Sequence, residues 1–215
     1  MSRVLCIGDL HEPFCREGYL KFCVDMWNKW ECDTTVFIGD IADNHYSSYH
    51  ETDADGFGGR EEFLRAKDNI ALWAETFPEA TVVLGNHDRM PKRKAQSGNI
   101  VSVWVRDYAD VWETRGWDYV HRAEIDSVQY IHGEGGTARA RCVKDNQSTV
   151  QGHLHTQCYS ERAVGSEKRI FGMQVGCGID KDAYAMAYAK NFPRPALACG
   201  IILDGEDTIN AMMPL

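Results

Sequence analysis

Apolar positions follow two rhythms along this chain. Short apolar and β-branched runs at 4–7, 34–38 and 81–84 each end at a Gly followed by Asp or Asn. A continuous run of that length, bounded by a turn residue, predicts a strand buried on both faces. Between the runs the spacing changes to three and four. Tyr19, Leu20, Cys23, Met26, Trp27 and Trp30 fall on one face of a helix over 16–30. Phe63, Ala66, Ile70, Trp73 and Phe77 do the same over 60–77, where Pro78 stops the pattern. This alternation predicts right-handed βαβ crossovers and a parallel core.

The second half reads differently. Residues 101–114 carry a helical pattern, and further helices are expected over 136–145 and 182–189. Short strands are expected around Tyr119 and over 125–131, 148–151, 157–162, 169–175, 196–203 and 208–212. Residues 44–59, rich in Gly and Asp, are the longest irregular stretch and read either as a lid over a cleft or as a surface excursion. With no repeat, low-complexity tract or linker, the 215 residues are read as a single domain, 1–215.

Composition narrows the setting. No apolar stretch is long enough to span a bilayer, and the N-terminus lacks the apolar core and cleavage site of a signal peptide. The expectation is a cytoplasmic protein without membrane contact, its oligomeric state left open. Eight cysteines are scattered with no C-x-x-C pair, which argues against a disulfide framework and for small buried side chains. The formal net charge of −9 argues against nonspecific nucleic-acid binding through a basic face. It leaves room for a nucleotide or DNA end in a metal-lined cleft, because cations reverse the local field.

Chemistry concentrates where the apolar runs end. Asp9-Leu10-His11, Gly39-Asp40-Ile41-Ala42-Asp43, Gly85-Asn86-His87-Asp88, His132-Gly133-Glu134 and Gly152-His153-Leu154-His155 each place Asp, Asn or His just past a short apolar run. Open α/β sheets bind ligands at that edge. One such His alone is more often a buried hydrogen-bonded side chain, and one Asp more often a helix cap; the ordered set is what carries weight. Oxygen and imidazole donors without thiolate suit Mn²⁺, Fe, Zn²⁺, Ni²⁺ or Mg²⁺. Seven such donors, one of them shared, suffice for two ions side by side, a device that hydrolyses phosphate esters.

In order, these motifs resemble the calcineurin-like metallophosphoesterase superfamily, whose signature runs D-x-H, G-D-x-x-D, G-N-H-D/E, a lone His, then G-H-x-H. The match extends from Asp9 to His155. The resemblance implies an α/β fold, a four-layer α/β/β/α sandwich of two mixed sheets flanked by helices. It implies one metal on Asp9, His11, Asp40 and His155 and a second on Asp40, Asn86, His132 and His153. A carboxylate such as Asp40 can bridge ions roughly 3.5–4 Å apart. His87 is implied as the general acid facing the leaving group, Asp88 as the carboxylate orienting His87, and Asp43 as a hydrogen-bond partner of a ligand. The implied reaction is hydrolysis of a small phosphodiester or phosphomonoester by a metal-activated hydroxide, with two divalent ions, Mn²⁺ foremost, and no phosphoenzyme.

The protein serine/threonine phosphatase branch reads G-D-x-H-G, G-D-x-V-D-R-G and G-N-H-E. Here Glu12 follows His11, Asn44 stands where that branch has arginine, and Asp88 replaces the last Glu. The chain is more similar to small bacterial and phage-encoded metallophosphoesterases. Basic residues follow two motifs: Arg89, Lys92, Arg93 and Lys94 after the third, Arg139 and Arg141 after His132. They are either solvated helix faces or a grip for a second phosphate, a nucleotide or a DNA end. Arg89, Arg139 and His45 are taken as substrate contacts. A nuclease or nucleotide hydrolase of the same fold, and a non-catalytic metal-binding scaffold, stand as rival readings.

Overall fold

The computed structural model describes residues 1–48, 55–183 and 194–214. Its first half runs β1 (Arg3–Ile7), α1 (Tyr19–Lys29), β2 (Thr34–Phe37), α2 (Gly59–Thr76), β3 (Ala80–Val83), α3 (Asn86–Ser97), α4 (Tyr108–Trp112) and β4 (Trp117–Val120). The second half adds β5 (Ala123–Ile125), β6 (Val128–Ile131), α5 (Ala138–Asp145), β7 (Thr149–Gln151), β8 (Cys158–Val164), β9 (Arg169–Val175), β10 (Ala198–Leu203) and β11 (Asp207–Met212). One sheet has the order β11-β10-β1-β2-β3-β4, the other β5-β6-β7-β9-β8. β1 to β4 are mutually parallel, as are β6, β7 and β9. Antiparallel pairs close both edges of the second sheet and the β10–β11 edge of the first.

The continuous apolar runs serve two cores at once. Successive strand side chains point to opposite faces, so Leu5, Ile7, Phe37 and Val82 meet α1 and α2. Their neighbours Val4, Cys6, Val36 and Val83 face Tyr130, Val150, Phe171 and Met173 of the second sheet. The helical stripes supply the first core with Tyr19, Cys23, Ala66, Ile70 and Trp73. On the far side, α5 lies directly on β9: a Cβ at Gly172 would stand 2.6 Å from the carbonyl oxygen of Ala138. The four layers are those expected, two mixed sheets with helices outside.

Local departures have local causes. The helix expected over 101–114 is a 3₁₀ turn at Ser102–Trp104, an extended link and the short α4; Val101, Val103 and Val105 are β-branched and resist helix. The single strand expected over 125–131 is a hairpin, because Asp126 and Ser127 both take positive φ, 48° and 63°, and turn the chain in two residues. The helix expected over 182–189 falls mostly outside the described residues, with Lys181–Ala183 in a turn. Loop 44–59 is described only at its ends, a 3₁₀ turn at His45–Ser47 and the approach to α2.

Candidate metal centre

Parallel strands put their C-terminal ends on one edge, and here five of them deliver donors. β1, β2 and β3 of the first sheet lead to Asp9 and His11, to Asp40, and to Asn86; β6 and β7 of the second lead to His132 and to His153 and His155. The loops knit together as they leave the strands. His11 N–H donates to Asp40 O at 2.8 Å, Glu12 N–H to Ile41 O at 2.9 Å and Asp43 N–H to Glu12 O at 3.0 Å. Three donor residues sit at left-handed φ: His11 at 51°, Asp40 at 49° and His153 at 67°. Non-glycine residues in that region cost roughly 1–3 kcal/mol and gather where function requires them. Glycine is required at 85 and 152, where a Cβ would collide with the carboxylates of Asp40 and Asp9 respectively.

The donor atoms converge in adjoining groups. Asp9, His11 and His155 form one, and Asp40, His132 and His153 another, with ligand atoms within 4.8 Å of one another in each. A third group, His11, Asp43 and His87, adjoins the first. Asp40 Oδ2 lies between, 3.1 Å from His132 Nε2 and 3.8 Å from His11 Nε2. Asn86 Oδ1 is 3.0 Å from His132 Nε2.

Outer hydrogen bonds fix the imidazole tautomers. His132 Nδ1 faces the carbonyl of Ile38 at 2.8 Å, which can only accept, so Nδ1 carries the proton. His11 Nδ1 likewise donates to Asp43 Oδ1 at 2.6 Å. In the neutral rings the Nε2 lone pairs therefore point at the centre, as they do in metal-binding histidines. For His132 the lone pair faces two more acceptors, Asp40 Oδ2 and Asn86 Oδ1. Asp9 Oδ1 is buried without a hydrogen-bond partner. Converging acceptors and buried carboxylates call for a cation, so these residues fit divalent metal ions.

Without a cation, protons do this work. Burial disfavours the His132 imidazolium, yet Asp40 and Asp9 outweigh it and the pKa is pushed up to about 10. Burial alone would raise Asp40, but His132, His87 and His11 hold it well below the usual carboxylate range. Asp9 is lowered in the same way, against burial, by His132 and His155. Burial lowers His11 despite Asp43; burial and then His132 lower His153. Both favour the neutral form that coordinates metal. His87 shifts upward, since Asp40 and Asp43 exceed the effect of burial.

His87 stands at the mouth. Its side chain is 15% exposed and that of His155 16%, while Asp9, His11 and Asp40 are at 1% or less. The His87 N–H donates to Asp40 Oδ1 at 2.8 Å, and its Nδ1 to the carbonyl of Asp43 at 2.5 Å. Asp88 does not hold this ring, contrary to expectation. Its Oδ2 accepts from the N–H groups of Asp40 and Gly85, at 2.8 and 2.9 Å, and its Oδ1 from Ile41 and Ala42, at 3.0 and 3.4 Å. Consecutive residues in the first turn of α3 point in different directions, so the carboxylate reaches back to the loop after β2 and the imidazole reaches Asp43.

The expected substrate contacts divide. Arg89 lines a cavity that His132 also lines, with its Nε donating to Gly85 O at 3.0 Å and its guanidinium on Glu134. Arg139 turns away, to Glu161 at 2.5 Å and over the Tyr159 ring; Arg141 and Lys144 line the cavity instead. His45 is buried, its Nδ1 3.7 Å from Asp43 Oδ2, so it meets the centre through Asp43. His50 falls outside the described residues. Two positioning residues escaped the sequence reading. Glu12 accepts from Trp73 Nε1 at 2.9 Å and Asn69 Nδ2 at 2.7 Å, tying the first ligand loop to α2. Asn44 Nδ2 donates to the carbonyl of His87 at 3.0 Å. Pro91, four residues on, has no N–H for that carbonyl, and that was the available signal.

Solved structures align along most of this chain. A metallophosphoesterase from Sphaerobacter thermophilus aligns with a TM-score of 0.51 at 15% identity, over 99% of this chain and 88% of its own. An archaeal phosphodiesterase aligns with a TM-score of 0.49 at 13% identity, over 98% and 99%. Vacuolar protein sorting 29 from Cryptosporidium parvum aligns with a TM-score of 0.45 at 13% identity, over 99% and 96%. No curated protein matches the sequence. No helix among the described residues is long and apolar enough to cross a membrane. The sequence profile that does match, over residues 2–165, takes in every converging donor, and by it the chain belongs to the calcineurin-like phosphoesterase family.

Proposed function

We propose that this protein is a dinuclear phosphoesterase that hydrolyses a small phosphodiester or phosphomonoester, with Mn²⁺ as its working metal and the cytoplasm as its setting. The observation that carries this reading is the pair of adjoining donor groups with Asp40 between them. Asp9, His11, Asp40 and His155 would hold one ion and Asp40, Asn86, His132 and His153 the other. The thiolate-free set of mixed oxygen and imidazole donors is compatible with Mn²⁺, and eight free cysteines support a reducing compartment. Donors from both sheets support one domain over 1–215.

Bound cations would supply Lewis acidity to a phosphoryl group and a reactive water at neutral pH. The chain's own residues do the rest. Asp43 orients two rings at once, accepting from His11 with its carboxylate and from His87 with its carbonyl. With Nδ1 so committed, Nε2 of His87 is the atom that holds a proton toward the mouth. In the imidazolium form it gives that proton to the departing alkoxide. Asp43, 3.4 Å from Nδ1, favours that form. Asp40 fixes the acid's backbone through its bond to the His87 N–H, so bridging carboxylate and acid keep one relative position.

The test is hydrolysis of bis-(p-nitrophenyl) phosphate and p-nitrophenyl phosphate by metal-stripped protein reloaded with Mn²⁺. Metal-dependent turnover, lost in Asp40→Ala and His87→Ala, supports the proposal, and the preferred ester separates diesterase from monoesterase. Two bound metals without turnover would favour the scaffold reading; no metal uptake would remove the centre altogether.

A further inference from the structure

Next to the metal centre, the loops after β6 and β3 and one face of α5 border an open cavity of about 320 Å³. His132 lines it, so the cavity borders one of the metal-centre residues. Its charged lining is Arg89, Arg141 and Lys144 against Glu134 alone, with His121 beside them. In a chain of net charge −9 this is a local excess of positive charge. The wall is built, not incidental. Gln151, 1% exposed, donates to the carbonyls of Gly133 at 3.3 Å and Gly136 at 2.7 Å. The turn is thereby held from the strand that leads to His153 and His155. At Gly135 and Gly136 there is open space where a side chain would stand.

The cations are poised for an anion. The Arg89–Glu134 pair is partly exposed, 29% and 45%, and such a pair contributes little in water. A phosphate offers Arg89 a better fork partner than one carboxylate. Arg141 commits its Nε to Asp145 at 2.6 Å and keeps its terminal N–H groups. Lys144, three residues on, shares that helix face.

We propose that this cavity is a second-phosphate subsite. It takes a phosphate that the substrate carries in addition to the one hydrolysed, which makes esters with a second phosphate the preferred class. The inference rests on the phosphoesterase reading. The test uses a matched pair of esters, thymidine 5′-(p-nitrophenyl phosphate) and the same compound with a 3′-phosphate. Scissile bond and leaving group are identical, and only the added phosphate differs. The Mn²⁺-loaded protein should prefer the second ester by about tenfold or more in kcat/KM, mainly through KM, the effect of one or two hydrogen bonds to a charged group. In the Arg141→Ala/Lys144→Ala double variant the ratio should fall toward one. Both side chains are exposed, and circular dichroism checks the fold. Equal use of the two esters by the wild type, or a preference that survives in the variant, overturns the subsite while leaving the phosphoesterase intact. If neither ester is turned over, the phosphoesterase reading fails for this class. Calorimetry with thymidine 3′,5′-bisphosphate against thymidine 5′-phosphate then decides the subsite: no tighter binding of the bisphosphate, or no loss in the variant, overturns it.

Discussion

Replacing Asp88 by Asn tests what holds the metal centre in shape. The residue is 6% exposed, and its two carboxylate oxygens accept from four backbone N–H groups, two each. Asn keeps the outline but turns one oxygen into an NH₂ donor. Whichever oxygen is lost, two N–H groups lose their acceptor and face another donor. A buried unsatisfied group costs about 1–3 kcal/mol, so the pair should cost about 4 kcal/mol. For a domain of this size that lowers Tm by roughly 8–16 °C. Either lost pair, Asp40 with Gly85 or Ile41 with Ala42, includes N–H groups of the loop that holds Asp40 at φ 49°, so Mn²⁺ affinity should fall as well, by about 10–100-fold. Scanning calorimetry of metal-stripped protein gives the first number and a Mn²⁺ titration the second. If Asp88 instead oriented His87, the variant would keep its Tm within about 2 °C, the shift of less than 1 kcal/mol, and would slow alkyl esters selectively. That pair of results would refute the reasoning.

Other outcomes follow from the same geometry. His87→Ala should keep its metal content and lose about 10²–10⁴-fold in kcat on alkyl esters, less on p-nitrophenyl esters that need no acid; a normal alkyl rate would remove His87 as the proton donor. Asp40→Ala should bind neither ion by elemental analysis, and a variant that retained both would deny Asp40 its bridging place. In metal-stripped protein His132 is raised from 6.5 to about 10, so the stability from its ion pairs is complete below pH 6.5 and is lost as pH rises through the folded value. The Tm of that form should fall from pH 7 to 10, whereas Mn²⁺-loaded protein, its Nε2 already deprotonated, should change less; a rising Tm for the metal-stripped form would contradict the assignment. Glu12→Ala leaves the Trp73 and Asn69 donors without their acceptor and should cost about 3 kcal/mol in urea unfolding, a loss under about 1 kcal/mol showing that the tie to α2 is dispensable.

The sequence made the centre legible because its chemistry is local. Each donor follows a strand by one to four residues, and Asp, Asn and His in that position narrow the element type and the ligand type together. Direction around a helix was harder to read. Asp88 adjoins His87 in the sequence and Arg139 stands near Arg141, yet residues one or two apart on a helix do not share a face. Lys144 and Gln151 gave no signal, since their place depends on how α5 lies against β7 and β9. Residues 125–131 hid a hairpin because Asp126-Ser127 lacks the glycine that usually marks such a turn. The valines of 101–105 interrupt a pattern that spacing alone reads as helix.

The donors come from both sheets, and this makes the centre a clasp. His153 and Asp9, which meet at 2.8 Å, are 144 residues apart. No fragment ending before residue 155 contains every donor, and the full set cannot close on an ion until the two sheets have docked. Contacts of such separation form late and slowly. Cations that bind only the docked form draw the population toward it by mass action. Metal uptake would therefore report on that docking, and a chelator would withdraw from the folded protein the stability that bound cations add at its central seam.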